Sequence, residues 1–383
     1  MTQYFDTLET RDPERREREL LVQLPRQIAH AKARAPAFAR ILAEIDAASI
    51  NTRAALARVP VTRKSELLDL QKADRPFGGL AATRRGEAMR VFASPGPIYE
   101  PEGRRADYWR LARPLFAAGF RRGDLVHNCF SYHFTPAGSM LETGAHALGC
   151  TVFPAGIGQT EQQVQAMAEL RPDGYVGTPS FLKIILEKAD EMGVGLKSLT
   201  KALVSAEAFP KSFSDALSDR GIAGYQAYAS ADLGTIAYET EGREGLVIDE
   251  GVLVEIVRPG TGDLSAILPG MSPCGRTNLR IKGWMGRADQ TTKVKGLFVH
   301  PAQIAAIAAR HPEIVKARLI VDNAEGADRM TLNVEIPGNR SSLAEAIVAS
   351  IREITKLRGE VMFRAPGELP NDGRVIDDVR KYD

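Results

Sequence analysis

Aromatic and potentially catalytic side chains follow one of the short apolar runs of the sequence. Tyr132, Phe134 and Pro136 come at the end of the run that begins at Asp124, and they offer a flat apolar wall suited to an aryl group. Core packing is the alternative, because aromatic residues beside buried strands usually belong to the core. His133 lies among them and could assist a carboxylate, although a lone histidine more often satisfies a local hydrogen bond.

Short apolar runs alternate with helical stretches around this segment. The predicted strands lie in residues 124–132, 149–155, 173–179 and 201–209, and the predicted helices are Glu161–Leu170 and Ser180–Met192. Strands that alternate with helices imply a parallel sheet with helices on both faces. Ligands bind such sheets at the carboxyl ends of the strands, so the loops that follow these runs are the candidate sites.

The last third of the sequence has a different pattern. Residues 245–257 alternate like a β-hairpin, and the turn residues PGTGD close that run. Beyond a linker near Arg287–Asp289, the pattern predicts a small α+β unit. Its helices are predicted at Gln303–Arg310 and Leu343–Thr355, and its strands at Ala317–Asp322, Met330–Glu335 and Glu360–Arg364.

The composition is that of a globular protein. A chain of 383 residues suggests two or three domains, at roughly 100 to 200 residues each. With 44% hydrophobic and 26% charged residues it lacks the signature of a disordered chain. Fifty basic and 48 acidic residues leave a net charge of +2, which gives no general attraction to nucleic acid or to an anionic membrane.

Cysteine spacing and the N-terminal sequence indicate where in the cell the protein is expected. Cys129, Cys150 and Cys274 lie far apart without a CxxC pair, which excludes a disulfide framework and a zinc finger. The start of the chain lacks the apolar core of a secretory signal, and no segment approaches the roughly 20 consecutive apolar residues of a membrane span. We therefore expect a cytoplasmic protein without nucleic-acid or membrane partners.

Two longer blocks of the sequence resemble a known protein family. Residues 149–182, GCTVFPAGIGQTEQQVQAMAELRPDGYVGTPSFL, and residues 282–304, KGWMGRADQTTKVKGLFVHPAQI, are similar in order and spacing to the phenylacetate-CoA ligase family of adenylate-forming enzymes. The resemblance implies an α/β fold with a large AMP-binding domain, residues 1–287, whose parallel sheets are flanked by helices. It also implies a small mobile C-terminal α+β domain, residues 288–383.

The implied activity is an AMP-forming acyl-CoA ligase. Such an enzyme joins a carboxylic acid to ATP, releases pyrophosphate, and passes the acyl group from the acyl adenylate to coenzyme A. The implied cofactors and partners are ATP, Mg²⁺, CoA and a small-molecule carboxylic acid, and an aromatic acid would suit the wall at Tyr132, His133 and Phe134. A homodimer is also implied by the resemblance.

The phosphate-binding loop of the family corresponds to residues 93–103, ASPGPIYEPEG. Ser94 and Gly96 match the family pattern. Pro95 and Pro97 have no N–H to donate, and Glu100 stands where the family has a lysine. A reshaped clamp and a rigid turn that binds nothing are the two interpretations.

The adenine and magnesium loops of the family correspond to residues 205–209 and 227–234. By resemblance, Glu207 and Tyr228 contact the adenine region, and Asp232 replaces a glutamate as the Mg²⁺ ligand. Their neighbours in the same loops complete the predicted site: Ala206 on the acid, and Ala208 and Ala229 on the nucleotide.

The ribose site implied by the resemblance consists of Asp263 in PGTGD and Arg287 in GRAD. The family has an additional pair of strands between its PxTG turn and this aspartate. Here the two landmarks have merged, so a segment near residue 263 is shortened.

Two cations are implied in the small domain. Arg374 stands at the position of the mobile catalytic lysine, and Arg is bulkier and forked where the family has a point charge. Lys295, with Lys293 and Gly296, resembles the turn that faces the site during thioester formation. The departures leave two alternatives: a non-catalytic relative that binds nucleotide or acyl ligand as a regulatory module, and an adenylating enzyme with an acceptor other than CoA.

Overall fold

The computed structural model describes residues 3–94, 98–256, 264–283, 285, 290–295, 297–323, 328–337 and 343–380. Contacts divide the chain into two compact units: Met1–Thr261 with Ser265–Trp284, and Gly262–Leu264 with Met285–Asp383. Among the described residues, no helix is both long enough and apolar enough to cross a membrane.

Helices and a small hairpin precede the main sheet of the first unit. They are α1 (Pro13–Arg34), α2 (Pro36–Ile41), α3 (Arg53–Leu56), α4 (Lys64–Ala73), β1 (Arg90–Ser94), β2 (Ile98–Glu102) and α5 (Ala112–Ala117). Strands β1 and β2 pair antiparallel, with Ser94 opposite Ile98.

Strands and helices then alternate as the sequence predicts. The elements are β3 (Leu125–Asn128), α6 (Ala137–Leu148), β4 (Thr151–Phe153), α7 (Thr160–Leu170), β5 (Gly174–Gly177), α8 (Pro179–Glu191), β6 (Lys201–Val204), α9 (Lys211–Asp219) and β7 (Ala223–Ser230). Strands β4, β3, β5, β6 and β7 are adjacent in that order and parallel. Their carboxyl ends therefore share one edge.

Four antiparallel strands extend this sheet beyond β7. They are β8 (Gly234–Tyr238), β9 (Leu246–Ile248), β10 (Ile267–Leu268) and β11 (Arg280–Ile281), in the order β7-β8-β9-β11-β10. The parallel sheet predicted for the runs between residues 124 and 209 is confirmed, and these antiparallel strands make the whole sheet of the described residues mixed.

Helices cover both faces of the parallel part. Val176 of β5 and Leu203 of β6 pack in one core with residues of α5 and α6. Tyr175, Ala202 and Val204 of the same strands pack in a second core with residues of α7, α8 and α9. Side chains alternate between the faces because a strand has a period of two. The predicted helices on both faces are confirmed.

The predicted hairpin over residues 245–257 is wrong. Strand β9 pairs with β8 and β11, and the described residues 252–256 form no strand. Buried carboxylates explain the break. Asp249 accepts a 2.8 Å hydrogen bond from Arg110 Nε, and Glu250 accepts one of 3.1 Å from Arg16 Nε, so long-range ion pairs fix the turn.

The N-terminal segment is tied to the first unit by a buried charge cluster. Glu9 is fully buried and accepts hydrogen bonds from Arg113 Nη1, Tyr238 Oη and Arg276 Nε at 3.0, 3.0 and 3.1 Å. Buried charges are tolerated when they are paired and hydrogen-bonded in this way.

The second unit is a small α+β fold. Its elements are β12 (Thr292–Val294), β13 (Leu297–Val299), α10 (Pro301–Arg310), β14 (Lys316–Asp322), β15 (Arg329–Glu335), α11 (Ala344–Thr355), β16 (Glu360–Arg364) and β17 (Ile376–Asp378). Four strands form a sheet in the order β16-β15-β14-β17. The apolar sides of α10 and α11 pack in its core, as the pattern predicts.

Candidate active site

The hairpin of β1 and β2 holds the predicted phosphate-binding loop. Ser94 is buried at the end of β1, and its Oγ donates a 2.8 Å hydrogen bond to Glu100 Oε1 on β2. Gly96 lies outside the described residues. The serine and the glutamate of the motif therefore contact each other across the hairpin.

Lys64 joins the hairpin to the loop between β7 and β8. Its ammonium lies 2.9 Å from Asp232 Oδ2 and 3.6 Å from Glu100 Oε1. The structure thus brings together the predicted magnesium ligand and the altered phosphate loop.

The environment of Glu100 disfavours its negative charge. Burial and the neighbouring Asp232 carboxylate raise the pKa of Glu100 to about 7, although Lys64 and Ser94 oppose the rise. The Glu100 side chain is 13% exposed, and its Oε2 is buried without a hydrogen-bond partner.

Sequence reasoning missed Lys64. This residue is the first of α4 and lies 168 positions before Asp232, outside every block that carries the resemblance. A lysine at the start of an amphipathic helix is usually a solvated residue, so the local sequence contains no signal for this contact.

The loop after β6 is hydrogen-bonded to the neighbouring strands β5 and β7. Ser205 N donates to Gly177 O at 3.2 Å, and Ser205 Oγ donates to Ala227 O at 2.7 Å. Glu207 Oε2 accepts a 3.3 Å hydrogen bond from Ser180 N, at the start of α8. Hydrogen bonds to β5, β7 and the start of α8 therefore fix the segment that carries Glu207.

The other predicted residues lie in the loop after β6 and, contrary to the loop predicted over residues 227–234, in strand β7. Ala206 is exposed and has a φ of 73°, a left-handed conformation that is uncommon for a residue with a Cβ. Ala208 is half-buried. Tyr228 and Ala229 are half-buried in β7, where the register with β8 shifts between them. A shift of this kind re-aims the side chains that follow it.

The loop after β3 carries the predicted acid wall. Asn128 Nδ2 donates to Tyr132 Oη at 2.8 Å, and burial together with the Glu142 carboxylate raises the pKa of the Tyr132 hydroxyl. His133 is exposed, and Phe134 is 83% exposed, so the Phe134 ring is not part of the core.

This loop is also bonded to the hairpin. Phe134 O accepts a 2.8 Å hydrogen bond from Ala93 N, immediately before Ser94. The aromatic loop, Ser94, Glu100, Lys64 and Asp232 therefore form one connected group in the first unit. A group that joins an aromatic loop to a cation and carboxylates in this way could bind an apolar acid and a polyphosphate.

Asp232 could supply a ligand for Mg²⁺. The ion commonly takes one or two protein carboxylates and completes its octahedron with phosphate and water oxygens. The Asp232 side chain is 35% exposed, and among the described residues no group of three or more His, Cys, Asp or Glu could hold a metal. Asp232 therefore fits a metal that arrives with a nucleotide.

Arg374 lies in a well-fixed loop of the second unit. Its side chain is 62% exposed and pairs with Asp377 at 3.3 Å. Gln290 holds the loop on both sides of Arg374, because its Nε2 donates to Gly373 O at 3.1 Å and its Oε1 accepts from Val375 N at 2.7 Å. The role of Gln290 in holding this loop was not predicted, because no feature of the surrounding sequence indicates it.

Lys295 lies in the turn between β12 and β13. It has a φ of 47°, and its N–H donates to Asp328 Oδ2 at 3.0 Å. The same carboxylate oxygen accepts a 3.0 Å hydrogen bond from Arg380 Nη1. The turn is thus held by an ion pair whose arginine is 4% exposed.

The predicted ribose residues Asp263 and Arg287 lie outside the described residues, as do Gly296 and the shortened segment around residue 263. Their roles stay predictions.

The fold has a solved counterpart across the whole chain. A crystal structure of 2-hydroxyisobutyryl-CoA ligase, in complex with 2-HIB-AMP and CoA, superposes with a TM-score of 0.86, covering 100% of this chain and 93% of that one at 22% identity. The chain therefore has the fold of the adenylate-forming CoA ligases, as the resemblance implies.

Curated relatives establish the family. Phenylacetate-coenzyme A ligase of Thermus thermophilus is 30% identical over 429 residues, covering 94% of this chain and 95% of the relative. The enzyme of the same name from Aromatoleum evansii is 28% identical, covering 83% and 82%. No family model matches. The chain belongs to the phenylacetate-coenzyme A ligase family, a family of acid–thiol ligases, and the predicted family is confirmed.

The length of the alignment bears on the shortened segment. The alignment with the Thermus protein is 429 positions long, which exceeds the 383 residues of this chain. The relative therefore contains segments that have no counterpart here.

Proposed function

We propose that the protein is an ATP-dependent, AMP-forming acyl-CoA ligase that activates an aromatic carboxylic acid. In the first step the carboxylate attacks the α-phosphorus of ATP, which gives an acyl adenylate and pyrophosphate. In the second step the CoA thiol attacks the acyl carbon, which gives the thioester and AMP. Family membership over almost the full chain supports this proposal most directly.

The first unit would bind the nucleotide and the acid. In this proposal Ser94 and Gly96 contact the phosphates, and Asp232 binds the metal. Asp263 and Arg287 bind the ribose. The adenine region is contacted by Glu207, Ala208, Tyr228 and Ala229. Mg²⁺ would supply charge neutralisation at the phosphates. The hydrogen bond between Ser205 and Ala227 supports these roles, because it joins the loop that carries Glu207 to the strand that carries Tyr228.

The acid would lie against the loop after β3. An exposed Phe134 beside a half-buried Tyr132 offers apolar surface that a planar aryl group could cover. His133 and Ala206 complete the proposed acid site. Together they favour an aromatic acid over a small aliphatic one.

Two cations of the second unit would act on the reacting groups. Arg374 would neutralise the carboxylate and the α-phosphate during adenylation, and Lys295 would face the site during thioester formation. The exposure of the Arg374 guanidinium supports its role, because the group is open to a ligand. We also propose that the functional domains are residues 1–287 and 288–383, with the hinge at Arg287–Asp289.

A regulatory module that binds nucleotide without turnover is the second candidate. It is favoured by Glu100, an acid with little exposure at the position where the family has a lysine. An adenylating enzyme with another acceptor is the third candidate, because a thiol acceptor leaves little trace in sequence.

Pyrophosphate exchange and thioester formation test the three candidates. The purified protein is incubated with Mg·ATP and a panel of aryl and alkyl acids, with and without CoA. We expect exchange of labelled pyrophosphate with aryl acids, and AMP with thioester when CoA is added. Exchange without thioester would indicate another acceptor. Nucleotide binding without exchange for any acid would favour the regulatory module.

Arg374→Lys separates a weakened enzyme from a binding module. A large gain in exchange would show that the forked arginine limits an active site, since a single well-placed cation contributes about 10² to 10³ in rate. No exchange by either protein, with nucleotide binding intact, would contradict the ligase proposal.

A further inference from the structure

We propose that Lys64 is the cation that binds the β- and γ-phosphates of ATP, in place of a charge that the phosphate loop itself lacks. This inference rests on the proposed function. A polyphosphate needs positive charge or N–H donors around it, and the described residues at the ends of the loop, Ser94 and Glu100, supply a hydroxyl and a carboxyl group.

The position of the ammonium carries the inference. Lys64 lies 2.9 Å from Asp232 Oδ2 and 3.6 Å from Glu100 Oε1, so it stands between the proposed metal ligand and the hairpin. Its side chain is 43% exposed, which leaves the ammonium open to a ligand. An ammonium has three donors, so it can keep Asp232 and still donate to a phosphate oxygen.

The helix that carries Lys64 is fixed to the hairpin. Gln71, 5% exposed on α4, donates from Nε2 to Tyr99 O and accepts from Tyr99 N, both at 2.8 Å. This pair of hydrogen bonds holds α4 against β2, directly before Glu100. Lys64 is therefore presented by a helix that is held by the same strand as the loop.

The charges of the cluster agree with this role. Lys64 faces two carboxyl groups, and Asp232 would turn toward Mg²⁺ when the nucleotide is bound. The ion pair between Lys64 and Asp232 would then weaken, and the anionic phosphates would take its place beside the ammonium. AMP lacks the β- and γ-phosphates, so Lys64 should contribute to ATP and pyrophosphate binding and little to AMP binding.

Calorimetric titration of the full chain with Mg·ATP, Mg·pyrophosphate and AMP tests the proposal. For Lys64→Met we expect weaker ATP and pyrophosphate binding by about 10-fold to 100-fold, the usual strength of a charged hydrogen bond. AMP affinity should stay within about twofold, since AMP has no phosphate at this position. Lys64→Arg should retain most of the ATP affinity.

Lys72→Met is the matched control. Lys72 lies on the same helix, is 57% exposed and pairs only locally with Asp69 at 3.1 Å in the described contacts. Its loss should leave all three affinities unchanged. An equal loss of ATP affinity in this variant would mean that the effect is a general one of surface charge, and it would overturn the proposal.

Two other outcomes separate this inference from the proposed function. Unchanged ATP affinity in Lys64→Met would overturn the role of Lys64 and leave the ligase proposal intact. Failure of the unmodified protein to bind ATP and AMP would overturn both.

A double variant covers the case in which Lys64→Met also loses AMP binding. Lys64→Met with Glu100→Gln removes the more buried of the two carboxylates that the first change deprives of the lysine. Restored AMP binding with weak ATP binding would support the proposal. Restored ATP binding would overturn it, because the lysine would then have served only to neutralise Glu100.

Discussion

Replacement of Glu100 with glutamine should change how the stability of the first unit depends on pH. The pKa of Glu100 rises from its ordinary 4.5 to about 7 in the folded chain, because the side chain is buried beside Asp232. A raised carboxyl pKa means that the folded state holds the proton more tightly than the unfolded state. The stabilisation from this tighter proton binding is fully present below pH 4.5 and is lost as the pH rises through 7.

The magnitude follows from the two pKa values. Each pKa unit corresponds to about 1.4 kcal/mol. Deprotonation of Glu100 between pH 4.5 and about pH 7 should therefore lower the unfolding free energy of the unmodified protein by about 3 kcal/mol. Glutamine has a similar shape and does not titrate. The difference in unfolding free energy between Glu100→Gln and the unmodified protein should therefore rise with pH by about that amount.

Urea unfolding at pH 5, 6, 7 and 8 measures this difference. The fluorescence of Trp109, which is 3% exposed in the main core of the first unit, reports the transition. Asp69→Asn is the control, because Asp69 is 81% exposed and should show no such trend. A constant difference between Glu100→Gln and the unmodified protein from pH 5 to 8 would refute the reasoning.

Three further predictions concern the second unit. Arg374→Ala should lower pyrophosphate exchange by about 10² to 10³ without changing thermal stability, because the side chain is exposed; equal exchange would exclude Arg374 from catalysis. Gln290→Ala should speed hydrogen exchange at the Val375 amide, because that amide loses its 2.7 Å acceptor, and unchanged exchange would contradict the clamp. Arg380→Ala should destabilise the unit by about 1.5 to 3 kcal/mol in thermal unfolding, because its buried guanidinium pairs with the partly exposed carboxylates of Asp328 and Asp378. Arg310→Ala breaks an exposed pair and should cost at most about 1 kcal/mol, so similar losses in both variants would be inconsistent with this reasoning.

Elements with strong local patterns could be predicted from the sequence. Strand β16 was predicted at Glu360–Arg364, where it lies, and helix α7 was predicted within one residue of its start. Helix α7 has apolar residues at helical spacing, strand β16 is a short apolar run, and neighbouring turn residues define the ends of both. The resemblance likewise predicted that Glu207 and Asp232 lie in loops, as the structure has them.

Features that depend on distant contacts could not be predicted. The turn at Asp249 and Glu250 replaces the expected hairpin because arginines far along the chain bind the two carboxylates. Lys64 reaches Asp232 across 168 positions, and no periodic pattern records such a contact. The antiparallel strands β10 and β11 are two residues long, too short for a periodic signal.

The buried cluster around Glu9 has a consequence for biosynthesis. Glu9 binds Arg276, which follows it by 267 positions, near the end of the first unit. At about 5 to 20 residues per second, a ribosome needs roughly ten seconds to a minute to make that stretch. During this time Glu9 lacks Arg276, the later of its two arginine partners. The nascent chain can then complete the first unit only after residue 276, which lies nearly three quarters of the way along the sequence, has left the exit tunnel.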